Sequence, residues 1–288
     1  MVYASPYGNV PIPADKSIWD FVEQHGSSAL ADAPAFICGL TARTVTFAQL
    51  LTRAKLLVAG LHTNGIRKGD VVILHSFNCV EYPIVFFALN RLGVICSPSS
   101  PLFTAQELSD QMELSKAKAI ISHKALAQVA VNAAKRADIH ESHLVAKNLP
   151  FPALPRISPH DVVTLPFSSG TTARPKGVEL TAHAMLAIAI DFSYLDRPGP
   201  LSLGLLPFFH IMATMLFHSC VYKGRALVVL PRFEPEIFLQ VVEKYKLEKL
   251  IIAPPVALFL AQHPMVANKW AAVARHWALK SKEWPRSE

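Results

Sequence analysis

Short β-branched and aliphatic runs alternate with stretches of helical periodicity along most of this 288-residue chain, and that alternation leaves few folds open. Ser17 is placed to cap a helix in which Ile18, Phe21 and Val22 share one face, with Gly26 as its stop. Phe47, Leu50, Leu51, Ala54 and Leu57 draw a longer apolar stripe that ends near Gly65. Val71-Val72-Ile73-Leu74 is an unbroken apolar run of the kind buried in a parallel sheet. A helix from about Val80 to Leu92, a break at Gly93 and a strand at Val94-Ile95-Cys96 follow. Thr104 and Glu107 form a capping-box pair before the next helix. Ala119-Ile120-Ile121 reads as a strand and Leu126 to Ala134 as a helix.

The stretch Pro150 to Pro159 holds four prolines and reads as a connector between two α/β units. Beyond it, strands are expected at Val162 to Leu165, Val178 to Leu180, Leu203 to Leu206, Ala226 to Leu230 and Lys249 to Ile252. Helices are expected over Ala182 to Phe192 and from about Pro235 to Tyr245. Strands joined through helices need right-handed crossovers, so the expected class is α/β: largely parallel sheets covered by helices.

Composition narrows the function classes. Apolar residues make up 51% of the chain and charged residues 17%, which excludes a disordered chain. The longest apolar candidate for a membrane span, Leu250 to Leu260, is short and contains Pro254 and Pro255, so no transmembrane segment is expected. Four cysteines without a Cys-x-x-Cys pair argue against a disulfide framework or a zinc ribbon and fit a reducing compartment. Residues 1–9 lack the basic and apolar succession of a secretory signal, and Arg286-Ser287-Glu288 is not a peroxisomal address, so a cytoplasmic location is expected. Part of the net charge of +7 comes from the tail after Val266, a basic, weakly amphipathic stretch read as a solvated helix face; no nucleic-acid partner is expected. His140-Glu141-Ser142-His143 is one residue too short for a zinc-binding His-Glu-x-x-His helix. Neither a Gly-x-Ser-x-Gly elbow nor a Gly-x-Gly-x-x-Gly turn occurs.

The chemistry concentrates between Leu165 and Thr181, where hydroxyls, one glycine and a lysine lie between two expected strands. Successive backbone N–H groups with the Ser168, Ser169, Thr171 and Thr172 hydroxyls can wrap phosphate oxygens. Gly170 lets the backbone approach without a Cβ, and Lys176 supplies a mobile charge. The order is not that of a Walker A loop, because Lys176 precedes Gly177 and no Ser or Thr follows directly. On composition alone the stretch also fits a plain polar hairpin.

Its residue order is more specific. Ser168-Ser-Gly-Thr-Thr-x-x-Pro-Lys176-Gly-Val closely resembles the phosphate loop of the adenylate-forming, or AMP-binding, superfamily, which includes acyl-CoA synthetases, 4-coumarate–CoA ligases and firefly-type luciferases. Ala173 stands where that family usually has a glycine. Leu206-Pro-Phe-Phe-His210-Ile-Met212 resembles a second family segment, whose histidine borders the acyl pocket and thiol channel; Met212 replaces the customary aromatic and suits an aliphatic or irregular acid. Leu230-Pro-Arg232-Phe233 resembles a third, whose basic residue can meet coenzyme A.

The resemblance implies the N-terminal part of the AMP-binding enzyme fold, incomplete over residues 12–266, without the small C-terminal domain and with a divergent tail over 267–288. It implies an acid–CoA ligase that activates a carboxylic acid with ATP and Mg2+ and transfers the acyl group to coenzyme A. Lys176 and His210 would be the catalytic side chains, and Ser168, Ser169, Gly170, Thr171, Thr172, Lys176 and Arg232 would bind the nucleotide and coenzyme A. The rear family segments that hold adenine, ribose and magnesium have no counterpart here. The alternative expectation is therefore a truncated, non-catalytic nucleotide-binding or regulatory fragment that associates with a full-length relative. A full-length form bearing a C-terminal signal would be peroxisomal.

Overall fold

A computed structural model describes residues 10–139, 149–168, 175–194, 201–247 and 250–269. Two parallel sheets form its frame, each finished by one antiparallel edge strand. The four-stranded sheet runs β10 (Leu201–Gly204), β11 (Ala226–Val229), β1 (Pro34–Cys38), β2 (Thr44–Thr46). The five-stranded sheet runs β5 (Ala119–Ser122), β3 (Val71–His75), β4 (Ile95–Ser99), β6 (Val162–Thr164), β9 (Leu180–Thr181). A two-stranded hairpin joins β7 (Phe167–Ser168) to β8 (Lys176–Gly177).

The strand runs are apolar without alternation because both faces of each sheet are covered. In β1 and β11, Phe36, Leu227 and Val229 belong to the largest core, while Ile37 and Val228 point into a second core on the opposite face. In β3, Val72 and Leu74 enter the largest core and Ile73 a third. The largest core is filled by α1 (Ile18–Gly26), α2 (Phe47–Thr63), α3 (Tyr82–Leu92), α6 (Ala182–Tyr194) and α7 (Ile211–Lys223), which therefore lie between the sheets. Outside the five-stranded sheet sit α4 (Ala105–Ser115) and α5 (Ala127–Arg136); outside the four-stranded sheet sit α8 (Pro235–Tyr245) and α9 (Pro254–Gln262), followed by α10 (Pro264–Lys269). The result is five layers, helix and sheet in alternation.

Helix ends follow local chemistry. The N–H of Thr104 donates to the Glu107 carboxylate at 2.8 Å while the Glu107 N–H donates to Thr104 Oγ1 at 3.2 Å, and these bonds hold the Glu107 carboxyl below its usual pKa. Thr46 and Gln49 do the same for α2. At the end of α3, Gly93 adopts φ 76°, and a Cβ there would also meet Lys68 Cγ at 2.8 Å.

Several expectations are corrected. The proline-rich stretch is irregular, but it does not separate two successive α/β units: β6 and β9 complete the sheet begun by β3 to β5, and β10 and β11 complete the one begun by β1 and β2. The strand expected at Val178 to Leu180 is split, because Lys176–Gly177 pairs with β7 whereas Leu180–Thr181 pairs with β6. Leu205 and Leu206 lie past the end of β10. Leu250 to Ile252 is not a strand: Leu250 and Ile252 pack on the second core and Ile251 on the largest, but no ladder partner meets the segment among the described residues, and the chain enters α9 at Pro254. Helix α7 and strands β1 and β2 were not foreseen.

Candidate functional site

Each sequence segment singled out for chemistry follows the carboxyl end of a parallel strand, where ligands meet open α/β sheets. The hairpin follows β6, the His210 loop follows β10, and Arg232 follows β11. Strand β6 is fixed from both sides by buried side chains. Thr164 Oγ1 donates to the Cys96 carbonyl at 2.9 Å, Asn90 Nδ2 to the Val163 carbonyl at 2.9 Å and Ser97 Oγ to the Leu165 carbonyl at 3.0 Å. Gln111 Nε2 in turn donates to Ser97 Oγ at 2.9 Å. The strand that delivers the chain to Ser168 is therefore held before the hairpin begins.

In the hairpin, Ser168 stands opposite Lys176 in an antiparallel pair, with Ser168 Oγ within 3.5 Å of the Lys176 carbonyl. The two ends of the phosphate-loop sequence are thus brought together, and both side chains face solvent. A Cβ on Gly177 would press on the Leu165 and Phe167 side chains at 3.1–3.3 Å, so they would have to give by a few tenths of an ångström to admit one. Ser169, Gly170, Thr171, Thr172 and the Ala173 departure lie outside the described residues.

His210 is the N-cap of α7, and it is exposed. Its Nδ1 accepts from the Met212 N–H at 3.3 Å, so the neutral ring carries its proton on Nε2, the outward nitrogen. Met212, 40% exposed, lies beside it on the first turn of α7. Phe208, two residues earlier, is fully buried, edge-on to Tyr82 and Phe217. Arg232 lies open to solvent, with Nε 2.7 Å from Glu234 Oε1. That contact occupies one face of the guanidinium and leaves its NH groups available for a phosphate.

Asn78, in the turn after β3, was not singled out by sequence. It is buried, and its Nδ2 donates to the Leu206 carbonyl at 2.9 Å and the Leu230 carbonyl at 3.2 Å, while its Oδ1 accepts from the Phe208 N–H at 2.8 Å. The carboxyl ends of β3, β10 and β11 therefore converge on one side chain. Strand β6 ends two positions across the sheet from β3, roughly 10 Å at one strand spacing each. Nothing in a lone Ser-Phe-Asn-Cys sequence marks this role.

Two buried histidines lie near these segments. His218 sits in α7 among Phe86, Phe87 and Phe217, with Nδ1–H donating to the Thr214 carbonyl at 2.7 Å; burial pushes its pKa down to about 4. His75, at the end of β3, is likewise pushed down by burial. Among the described residues no three His, Cys, Asp or Glu side chains gather as metal ligands, and no helix is long and apolar enough to cross a membrane.

The sequence model of the AMP-binding enzyme family matches residues 23–281. The chain is 31% identical over 296 residues to 4-coumarate–CoA ligase 4 of Arabidopsis thaliana, a match covering 91% of this chain and 52% of that protein. Its fold is similar to that of a long-chain-fatty-acid–CoA ligase (FadD1) from Archaeoglobus fulgidus, with a TM-score of 0.79 at 20% identity, over 93% of this chain and 62% of the other. The N-terminal domain of FACL13 from Mycobacterium tuberculosis matches with a TM-score of 0.75 at 24% identity, over 88% and 66%. The chain spans about half the length of the curated relatives it matches.

Proposed function

This chain belongs to the AMP-binding enzyme family, that of the adenylate-forming acid–CoA ligases, and from that premise we propose that it takes part in ATP-dependent activation of a carboxylic acid and transfer of the acyl group to coenzyme A. In such a reaction a carboxylate oxygen attacks the α-phosphorus of ATP and pyrophosphate leaves. The coenzyme A thiol then attacks the acyl carbonyl, loses its proton, and AMP leaves. Holding two anions together is the main difficulty, so fixed positive charge and N–H donors are the most useful groups a protein can supply.

The observation that supports the reading is the register of Ser168 opposite Lys176, which brings the two ends of the phosphate-loop sequence together. Lys176 would neutralise phosphate oxygens, the Ser168 to Thr172 stretch would surround them, and Nε2–H of His210 would face the acyl group and the thiol. Arg232 would take a phosphate of coenzyme A. Magnesium would come with ATP and offset the charge of its phosphates. Met212 in place of an aromatic favours an aliphatic or irregular acid.

The test is pyrophosphate release from ATP and Mg2+ with a panel of carboxylic acids, with and without coenzyme A. Acid-dependent release that Lys176→Ala abolishes supports the reading. A second reading is a nucleotide-binding chain without turnover that associates with a full-length relative. ATP binding lost in Lys176→Ala, with no release from any acid, selects it over the first.

A further inference from the structure

The sequences Leu206–His210 and Leu230–Arg232 follow neighbouring strands, and the backbone stops joining them just before either begins. The Leu230 N–H donates to the Gly204 carbonyl at 3.0 Å. Past that rung the strands part, one toward α7 and the other toward α8. The groups that a ladder would have paired next are taken up by Asn78, reached from the other sheet: the Leu206 carbonyl, the Phe208 N–H and the Leu230 carbonyl. We propose that Asn78 is the positioning residue that fixes these two segments against each other and against β3, and so sets where His210 and Arg232 stand. The inference rests on the function proposed above and deepens it: Asn78 would govern the acyl and thiol side of the site, leaving the phosphate-loop side to Asn90, Ser97 and Thr164.

The chemistry singles out a primary amide. Two carbonyls and one N–H must be met at a buried point, which requires two donors and an acceptor on one short side chain. An ionised aspartate keeps the acceptor but turns negative charge on two carbonyl oxygens. Alanine leaves all three groups unpaired and buried. The hold continues into α7, where Thr214 Oγ1 lies 3.1 Å from the Phe208 carbonyl and 3.3 Å from that of His210. His210 thus sits between a fixed loop and a fixed helix start, while its ring remains exposed.

Hydrogen exchange read by mass spectrometry on the full chain tests the claim without requiring turnover. Asn78→Ala should speed exchange at least tenfold in peptides covering 205–210 and 230–232, and leave 162–168 within twofold of wild type. Asn78→Asp should open 230–232 as strongly but 205–210 less, because a carboxylate oxygen still accepts from the Phe208 N–H. Asn78→Ser, with one donor and one acceptor, should recover part of the protection and serves if the alanine variant does not fold. Asn90→Ala should show the reverse pattern, opening 162–165 first. Uniform acceleration across all segments, or none at 205–210, overturns the proposal. Calorimetric titration then adds a second readout: Asn78→Asp should weaken coenzyme A binding at least tenfold with ATP affinity within threefold, and equal losses for both overturn it. If the wild-type chain binds neither ligand, the proposed function falls, and the exchange pattern alone decides the role of Asn78.

Discussion

Phe208 lies inside the largest core two residues before the exposed His210, whereas Ser168 and Lys176 are exposed and rest on a two-residue ladder. Both segments present polar side chains to solvent at the carboxyl ends of strands, yet they are held by different means. The first is fixed by aromatic packing around Phe217 and by the amide of Asn78. The second inherits its position from the strand behind it and is otherwise free of the core. Local stability varies across a fold in this way, and segments with few buried contacts open at the lowest cost. Under the proposed function the firmly held surface would serve the acyl and thiol side, and the hairpin the polyphosphate.

The largest expected effect breaks the fixed side. Phe217 is fully buried and meets Tyr82, Phe86, Phe87 and Phe208 edge to face, so Phe217→Ala should cost about 3–5 kcal/mol in urea unfolding at neutral pH. A loss below about 1.5 kcal/mol would show that α7 closes over the gap and that the aromatic block is not what fixes the segment.

Acid should act on the same block. His218 stays neutral in the folded protein down to about pH 4, while an unfolded histidine takes up its proton near pH 6.5. Between those values the unfolded chain binds the extra proton, so stability is full above about pH 6.5 and falls as the pH drops toward 4, by about 3 kcal/mol in all. His75 adds in the same direction. Urea midpoints at pH 7.5 and 4.5 measure the loss. His218→Gln, which keeps a donor for the Thr214 carbonyl and does not titrate, should flatten most of it, and an unchanged pH dependence would assign the effect elsewhere.

Ser97→Ala probes the strand behind the hairpin. It leaves the Leu165 carbonyl without its side-chain donor and Gln111 Nε2 with the Pro98 carbonyl alone, at a cost of about 2 kcal/mol. Exchange should rise at 162–168 rather than at 205–210. The smallest stability effect belongs to the hairpin itself: Lys176→Ala should shift the urea midpoint by less than about 0.5 kcal/mol, as exposed side chains usually do. ATP affinity should nonetheless fall about tenfold, equivalent to about 1.4 kcal/mol. A stability loss as large as that of Ser97→Ala would mean the hairpin is a structural element and would erase the contrast between the two sides.

Much of this was legible in sequence wherever the cause is local. The Thr104–Glu107 box is visible because both partners lie on one turn, and Gly93 marks the end of α3 because its φ of 76° disfavours other residues. The apolar runs at Val71 to Leu74 and Ala226 to Leu230 announce strands buried on both faces. The family was readable from residue order alone, since the resemblance is carried by nine matching positions among the eleven from Ser168 to Val178. Strand β1 was not, because its parallel partner is supplied from far along the chain, Phe36 pairing with Leu227; β2, three residues long, exists only as the edge beside β1. The strand expected at Lys249 to Ile252 had the composition without, among the described residues, the neighbour.

By itself the sequence determined the alternation of helix and strand, the α/β class and the family, because each follows from residue type, period and order over short spans. Tertiary structure alone decided that the proline-rich stretch joins two parts of one sheet rather than two successive units, and that Val178 lies between two pairings. It also decided that Asn78 meets the Leu206 and Leu230 carbonyls from the opposite sheet, across 128 and 152 positions of chain. No local pattern encodes such a meeting. A hydrogen-bonding side chain is an anchor only when folding has withdrawn water from its partners and left it as the one group able to satisfy them.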